Sequence, residues 1–431
     1  MNRRLALTIG LGALLGARVS VAQEVTIGYQ GLPSKAQGES ATGINVAEGM
    51  LLHVGAGAEA GYDSNVFYAS SGVVSSGIIR STAFLELTNS SRSTGAPSSL
   101  SFDVRGGMTY RHYTSNDAGL AAYSDAFMPT AGLSLGYGGG RLSFQLTDSF
   151  VRVEDPPYAA STGSPLTRDS NLASAEVRFS PGGGRISTML RYSNIIDIFE
   201  STSFNYASSV THRLMLDVSW KWLPKTALFV QANQAYIGYL SSDTKGKVSA
   251  FPLHVILGLR GLITPKTSVN LSLGYANNFS SSGSTTAGIW GQTYIEAQAT
   301  FNPTMTSRIV GGYKHDFANS VISSFYYDDA VYGSYVQQLG GRLAFDVSAR
   351  LSHRRYEGLL FDPTMSSRSD NLVTAGATLD YFIRNWIYAG VGYSLLANLS
   401  DYQTPANGLG MGSHSVEYTK HQVFARLGLT Y

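Results

Sequence analysis

The chain has 431 residues, of which only 14% are charged, a formal net charge of +2 and no cysteine. Mean hydropathy is near zero, and no run past the N-terminus reaches the roughly 18 apolar residues of a spanning helix, which excludes a helical membrane protein. The missing cysteines exclude disulfides and thiolate metal sites, and the small net charge points neither to nucleic acid nor to an anionic surface.

Arg3 and Arg4, the apolar run Leu5 to Ala17, and Ser20-Val21-Ala22 read as a secretory signal over residues 1–22. Removing it takes away Arg3, Arg4 and Arg18 and moves the formal charge from +2 to −1 (2 − 3). Residues 23–49 hold no sustained period and are expected to be a periplasmic tail or a segment folded into a lumen. From 50 to 431 apolar and polar residues alternate in short runs. Leu214, Leu216, Val218, Trp220 and Trp222, for example, interleave with Arg213, Asp217, Ser219 and Lys221. Period 2 is the mark of a strand with one apolar and one polar face.

Strands are expected to start near residues 51, 78, 99, 126, 141, 169, 185, 208, 226, 250, 267, 289, 305, 329, 342, 369, 386 and 416. Short Gly- or Pro-bearing turns alternate with longer polar loops, and a looser turn runs from Ser91 to Ser98. Asp148 and Gln337 interrupt the alternation in the strands near 141 and 329, and a bulge would explain either. The fold class is therefore all-β: a single transmembrane antiparallel β-barrel of about 18 strands, or alternatively 16, with short periplasmic turns and long extracellular loops. A water-soluble all-β fold would need a second layer over the apolar face, and no pattern supplies one.

Two girdles follow from that layout. Tyr137, Phe179, Trp220, Trp222, Phe301, Tyr381, Trp386 and Tyr431 fall at the short-turn end. Tyr62, Tyr110, Tyr192, Tyr236, Tyr275, Trp290, Tyr313 and Tyr393 fall at the loop end. Leu427, Leu429 and Tyr431 close the last strand and resemble the C-terminal signal read by barrel-assembly machinery. Bacterial outer membrane is the expected location, with outer-membrane lipid and lipopolysaccharide as surroundings.

Charge on the lipid face is costly, so the alternating charges are expected to line the lumen. The set is Arg80, Glu86, Asp103, Arg105, Arg111, Arg178, Arg191, Arg213, Asp217, Lys221, Arg308, Asp346, Arg350 and Arg426. Glu59, Glu176, Arg260, Glu296, Lys314, Asp316 and Asp380 accompany them. Basic residues moderately outnumber acidic ones, which leans towards an anionic or sugar-like permeant. Inner-wall Tyr294, Tyr332 and Tyr388 are candidates to stack on sugars. The scattered histidines have no metal-ligand spacing, so no catalytic residue, metal or cofactor is expected.

Gly61-Tyr62-Asp63-Ser64-Asn65-Val66-Phe67 ends the first strand, with Asp63 and Asn65 placed as turn residues whose side chains bond backbone N–H groups. This GYDSNVF run resembles the opening of the outer-membrane β-barrel porin type 2 family. The resemblance implies a barrel over residues 50–431 and a role in passing surface polysaccharide (exopolysaccharide or capsule) outward, with periplasmic polysaccharide-export proteins as partners. Two other functions stay open. One is a general or substrate-selective diffusion porin, with Glu154 to Arg168 folded inward as a constriction. The other is a non-conducting anchor of a surface or motility complex, partnered through residues 23–49.

Overall fold

The computed structural model describes residues 43–47, 49–89, 100–155, 166–280, 290–360, 367–404 and 414–431. The first strands are β1 (Ile44–Ala47), β2 (Met50–Asp63), β3 (Ser76–Asn89), β4 (Leu100–Tyr113), β5 (Asp125–Gly139), β6 (Leu142–Asp155) and β7 (Leu166–Phe179). Then come β8 (Ile186–Phe199), β9 (Ser209–Leu223), β10 (Thr226–Tyr239), β11 (Leu253–Thr264), β12 (Thr267–Asn277), β13 (Thr293–Phe301) and β14 (Ser307–Asn319). The last are β15 (Ser323–Leu339), β16 (Leu343–Leu359), β17 (Ser367–Arg384), β18 (Ile387–Leu399), β19 (Gln403–Thr404), β20 (His414–Ser415) and β21 (Tyr418–Thr430).

From β2 to β18 each strand pairs antiparallel with the next, and β21 pairs with both β18 and β2. Eighteen strands thus close into an all-β antiparallel barrel with no free edge. β1 pairs with the start of β2, and β19 with β20 inside the last outer connection. At the seam Tyr431 and Val54 exchange backbone bonds of 2.8 and 3.0 Å. The barrel closes because period-2 alternation is kept through every strand, so one face stays apolar all the way round.

The outward face is the apolar one. Leu133, Leu135, Leu216, Val218, Leu271, Leu273, Val331, Leu351, Val391 and Leu427 are exposed on it. Tyr137, Phe179, Trp220, Trp222, Phe301, Tyr381, Trp386 and Tyr431 are exposed near the short turns, and Tyr62, Tyr192, Tyr236, Tyr275 and Tyr393 near the loops. The Trp290 side chain lies outside the described residues.

Three expectations need correction. Neither Asp148 nor Gln337 sits in a bulge, because the register runs unbroken through both. Not every outer connection is long: only residues 320–322 join β14 to β15. The reason is that β15, β16 and β17 run to 17, 17 and 18 residues, rising past their neighbours. β15 accordingly begins at Ser323, six residues before the expected start (329 − 323). The expected turn from Ser91 to Ser98, the loop core 156–165, the signal and most of 23–49 lie outside the described residues.

Candidate functional site: a charged lumen beneath packed loops

The register places Arg80, Glu86, Asp103, Arg105, Arg111, Arg178, Arg191, Arg213, Asp217, Lys221, Arg308, Asp346, Arg350 and Arg426 opposite the exposed apolar side chains. Arg80 stands beside Arg111 and Glu59, and Glu86 beside Arg105. Ion pairs join many of them across strands. Arg426 forks onto Asp380 at 2.8 and 2.5 Å, with both side chains buried. Arg191 and Arg178 share Glu176, Arg260 reaches Asp217 at 3.1 Å, and Arg350 bonds Asp328. Where both partners are buried, as in Arg426–Asp380, such pairs rigidify the wall, because removing one partner leaves a buried charge behind.

Burial divides the lumen along its axis. In the loop half, Arg354, Tyr326, Asp370, Tyr356, Asp197, Tyr113 and Arg111 are all buried. Arg368 bonds Asp370 at 2.9 and 2.5 Å, and Arg354 stacks over Tyr326 with 4.8 Å to the ring centre. Of this packed layer the sequence reading named only Arg111: Asp328 lies one residue before the strand start expected near 329, and Arg354, Arg368 and Asp370 were not in the expected lumen set. The usable signal was alternation continuing through Arg354 and Tyr356, and through Arg368 and Asp370. In the short-turn half, Arg105, Gln145, Lys221 and Arg308 are exposed on the inner face. Arg105, Lys221 and Arg308 form no ion pair among the described residues. The short-turn half thus holds exposed, unpaired Arg105, Lys221 and Arg308, with Glu86 beside Arg105 and the half-buried Asp346 on the same wall. The loop half is largely buried and mixes ion-paired arginines with Arg111 and Arg213, which form no ion pair among the described residues.

The inner-wall tyrosines are not open platforms. Tyr388 and Tyr294 are buried. Tyr388 lies across Gly428 so closely that a Cβ there would meet its ring at 2.3 Å, and a Cβ at Gly312 would meet the Tyr332 hydroxyl at 2.5 Å and its ring at 2.6 Å. Phe424 over Gly392 and Phe229 over Gly258 repeat the arrangement. Ring over glycine is a cross-strand packing device that stiffens the wall. It uses ring faces that a sugar would need.

The GYDSNVF residues build the outer end of the seam. Asp63 has no exposure and accepts from Lys420 at 2.9 Å, from Gln422 Nε2 at 2.7 Å and from the Asn65 backbone N–H at 3.0 Å. The Asn65 amide donates to the Ala69 and Thr419 carbonyls, and its oxygen accepts from the Ala69 N–H. Val66 packs with Ile78, Tyr113 and Leu120, with Phe67 against them. Gly61 lets Phe424 and the Val423 carbonyl approach, while Tyr62 points outward. These residues clasp β2 to β21.

Loops complete the outer end. Tyr206, between β8 and β9, is buried with Phe204, Phe199, Leu166 and Val321, and donates to the Val321 carbonyl at 3.2 Å. Burial pushes its hydroxyl pKa well up. Lys247, between β10 and β11, donates to the Ser320 carbonyl and, at 2.6 Å, to that of Ser323. Burial pushes its ammonium down to about 7. Loops from separate parts of the rim are thus tied to residues 320–323.

A closed antiparallel barrel with an apolar outer band between aromatic girdles is the architecture of an outer-membrane β-barrel, here with a porin-like charged lumen. No family model matches the chain, and no curated protein does. Solved structures similar to it include a mutant of the ferric enterobactin receptor (PfeA) from Pseudomonas aeruginosa, at 9% identity, 88% of this chain and 80% of that one, TM-score 0.45. The siderophore receptor PirA from the same organism aligns at 10% identity, 88% and 80% coverage, TM-score 0.39. OccK5 (OpdH), also from P. aeruginosa, aligns at 8% identity, 88% and 98% coverage, TM-score 0.45.

Proposed function

We propose that this chain is an outer-membrane channel that admits anionic or hydroxyl-rich solutes to its lumen. The observation that carries this reading is the inner vestibule, where Arg105, Lys221 and Arg308 are exposed without ion-pair partners among the described residues. Unpaired cations on the wall of a wet pore raise the local concentration of anions. The packed outer half and tied loops make passage conditional on loop movement. Liposome swelling tests this directly. Vesicles carrying the protein should swell faster in gluconate than in a cationic solute of equal size. Equal rates for both would count against the reading.

A finer reading is export of a surface polysaccharide with periplasmic export partners. Its support is the GYDSNVF resemblance, and the buried Tyr294 and Tyr388 give it no sugar-stacking wall. A clean deletion with complementation decides it: surface polymer lost on deletion and restored by the intact gene supports export, and unchanged polymer removes it.

A further inference from the structure

The connections at the short-turn end share one sign of charge. Arg141, Arg185, Lys225, Lys266 and Arg342 each follow a turn-forming Gly or Pro, and Arg384 closes β17 just before the last such turn. All six are exposed, and none forms an ion pair among the described residues. Lys266 also donates to the Pro303 carbonyl of the neighbouring turn at 2.6 Å. No acid stands in any described turn that joins two barrel strands at this end. Exposed girdle rings mark the depth: Tyr137 lies just before Arg141, Phe179 before Arg185, Trp222 before Lys225, and Tyr381 and Trp386 flank Arg384. Exposed Ile263 and Leu339 stand likewise before Lys266 and Arg342. At the loop end the outward wall compensates its charges instead, Arg152 bonding Asp169 and Glu200, and Arg355 bonding Glu357.

We infer that this rim binds anionic phospholipid of the leaflet it borders, through the uncompensated phosphate of the headgroup. Interfacial aromatic rings sit at headgroup level, so a side chain a few residues beyond them lies at the depth of the phosphates. The cations run from the β5–β6 turn round to the β17–β18 turn rather than gathering in one patch, and each adjoins an exposed apolar side chain of the lipid-facing wall. A lipid supplies both contacts, an acyl chain for the wall and a phosphate for the cation. A zwitterionic headgroup cancels its phosphate with its own ammonium, whereas a glycerol headgroup leaves it free. Each Lys or Arg at an anionic membrane surface favours binding about fivefold. The rim does this whether or not the lumen conducts.

Native mass spectrometry of the detergent-solubilised chain, offered equal phosphatidylglycerol and phosphatidylcholine, reads the preference. The parent should carry phosphatidylglycerol over phosphatidylcholine by about fivefold or more. The combined variant Arg141→Gln, Arg185→Gln, Lys225→Gln, Lys266→Gln, Arg342→Gln and Arg384→Gln should bind the two lipids equally. Its two halves, split between Lys225 and Lys266, should each lower the ratio, and Lys in place of the four arginines should keep it. Arg105→Gln, Lys221→Gln, Arg308→Gln, on the inner face, should also keep it. All the substituted rim positions are exposed, and folding is checked by heat-modifiable migration. Equal binding by the parent, a preference that survives the Gln variants, or one lost with the inner-face variant would each overturn the inference. So would retention of an acidic periplasmic protein by the rim with no preference between the lipids.

Discussion

Asp63, the last residue of the first barrel strand, accepts a bond from Lys420 of the last strand at 2.9 Å, with both side chains buried. The first and last barrel strands are locked by charge as well as by the backbone ladder. Asp63→Ala strands Lys420 and Gln422 without their acceptor, and breaking a buried pair costs about 3 kcal/mol. The urea midpoint in lipid vesicles should fall accordingly. Tyr62→Ala, on the exposed face next door, should move it by less than about 1 kcal/mol. Equal effects at the two positions would mean that the clasp does not secure the seam.

Gly428 is the floor under Tyr388. A Cβ there would lie 2.3 Å from the ring, whereas at Gly106 it would meet nothing within 4 Å. Gly428→Val should lower stability by about 1–3 kcal/mol through overpacking. Gly106→Ala should stay within about 0.5 kcal/mol. Denaturant midpoints of the two variants, measured side by side, check the pair.

Lys247 makes the packed loops sensitive to pH. Burial lowers its ammonium from 10.5 to about 7 in the packed state. Between those values the released loop binds more protons than the packed one. Loop packing therefore strengthens as pH rises from about 7 to 10.5, and it loses that contribution as pH falls through 7. Protease cleavage within residues 240–252 should be faster at neutral than at alkaline pH relative to a protease-matched control peptide, and Lys247→Met should abolish the difference. A pH-independent ratio in the parent protein contradicts the assignment.

Much of this barrel is legible in its sequence because a two-faced strand must alternate. Runs such as Leu214 to Trp222 give both the strand and its faces, and terminal Tyr431 marks the closing edge. Charge placement follows from the same rule, since Arg or Lys facing lipid costs about 2–4 kcal/mol at the midplane. The outer ends were less legible. Arg354, Tyr356, Arg368 and Asp370 prolong their strands with polar residues on a wall that has left the apolar band, where alternation fades. Asp148 misled for a different reason. A polar residue on the outward face looks like a shifted register, and only the pairing of Asp148 with Leu133 and Ala173 separates the two. The inner tyrosines are a matter of depth: sequence places Tyr388 on the inner face but does not show that its ring is spent on Gly428.

The central claim is that the lumen conducts and that its inner vestibule favours anions. Planar-bilayer recording across a potassium chloride gradient tests it most directly. The account predicts discrete conductance steps, with a reversal potential on the chloride side that shifts towards potassium in the Arg105→Glu, Lys221→Glu, Arg308→Glu triple variant. A silent membrane containing verified, folded protein, or a parent channel selective for potassium, would contradict it.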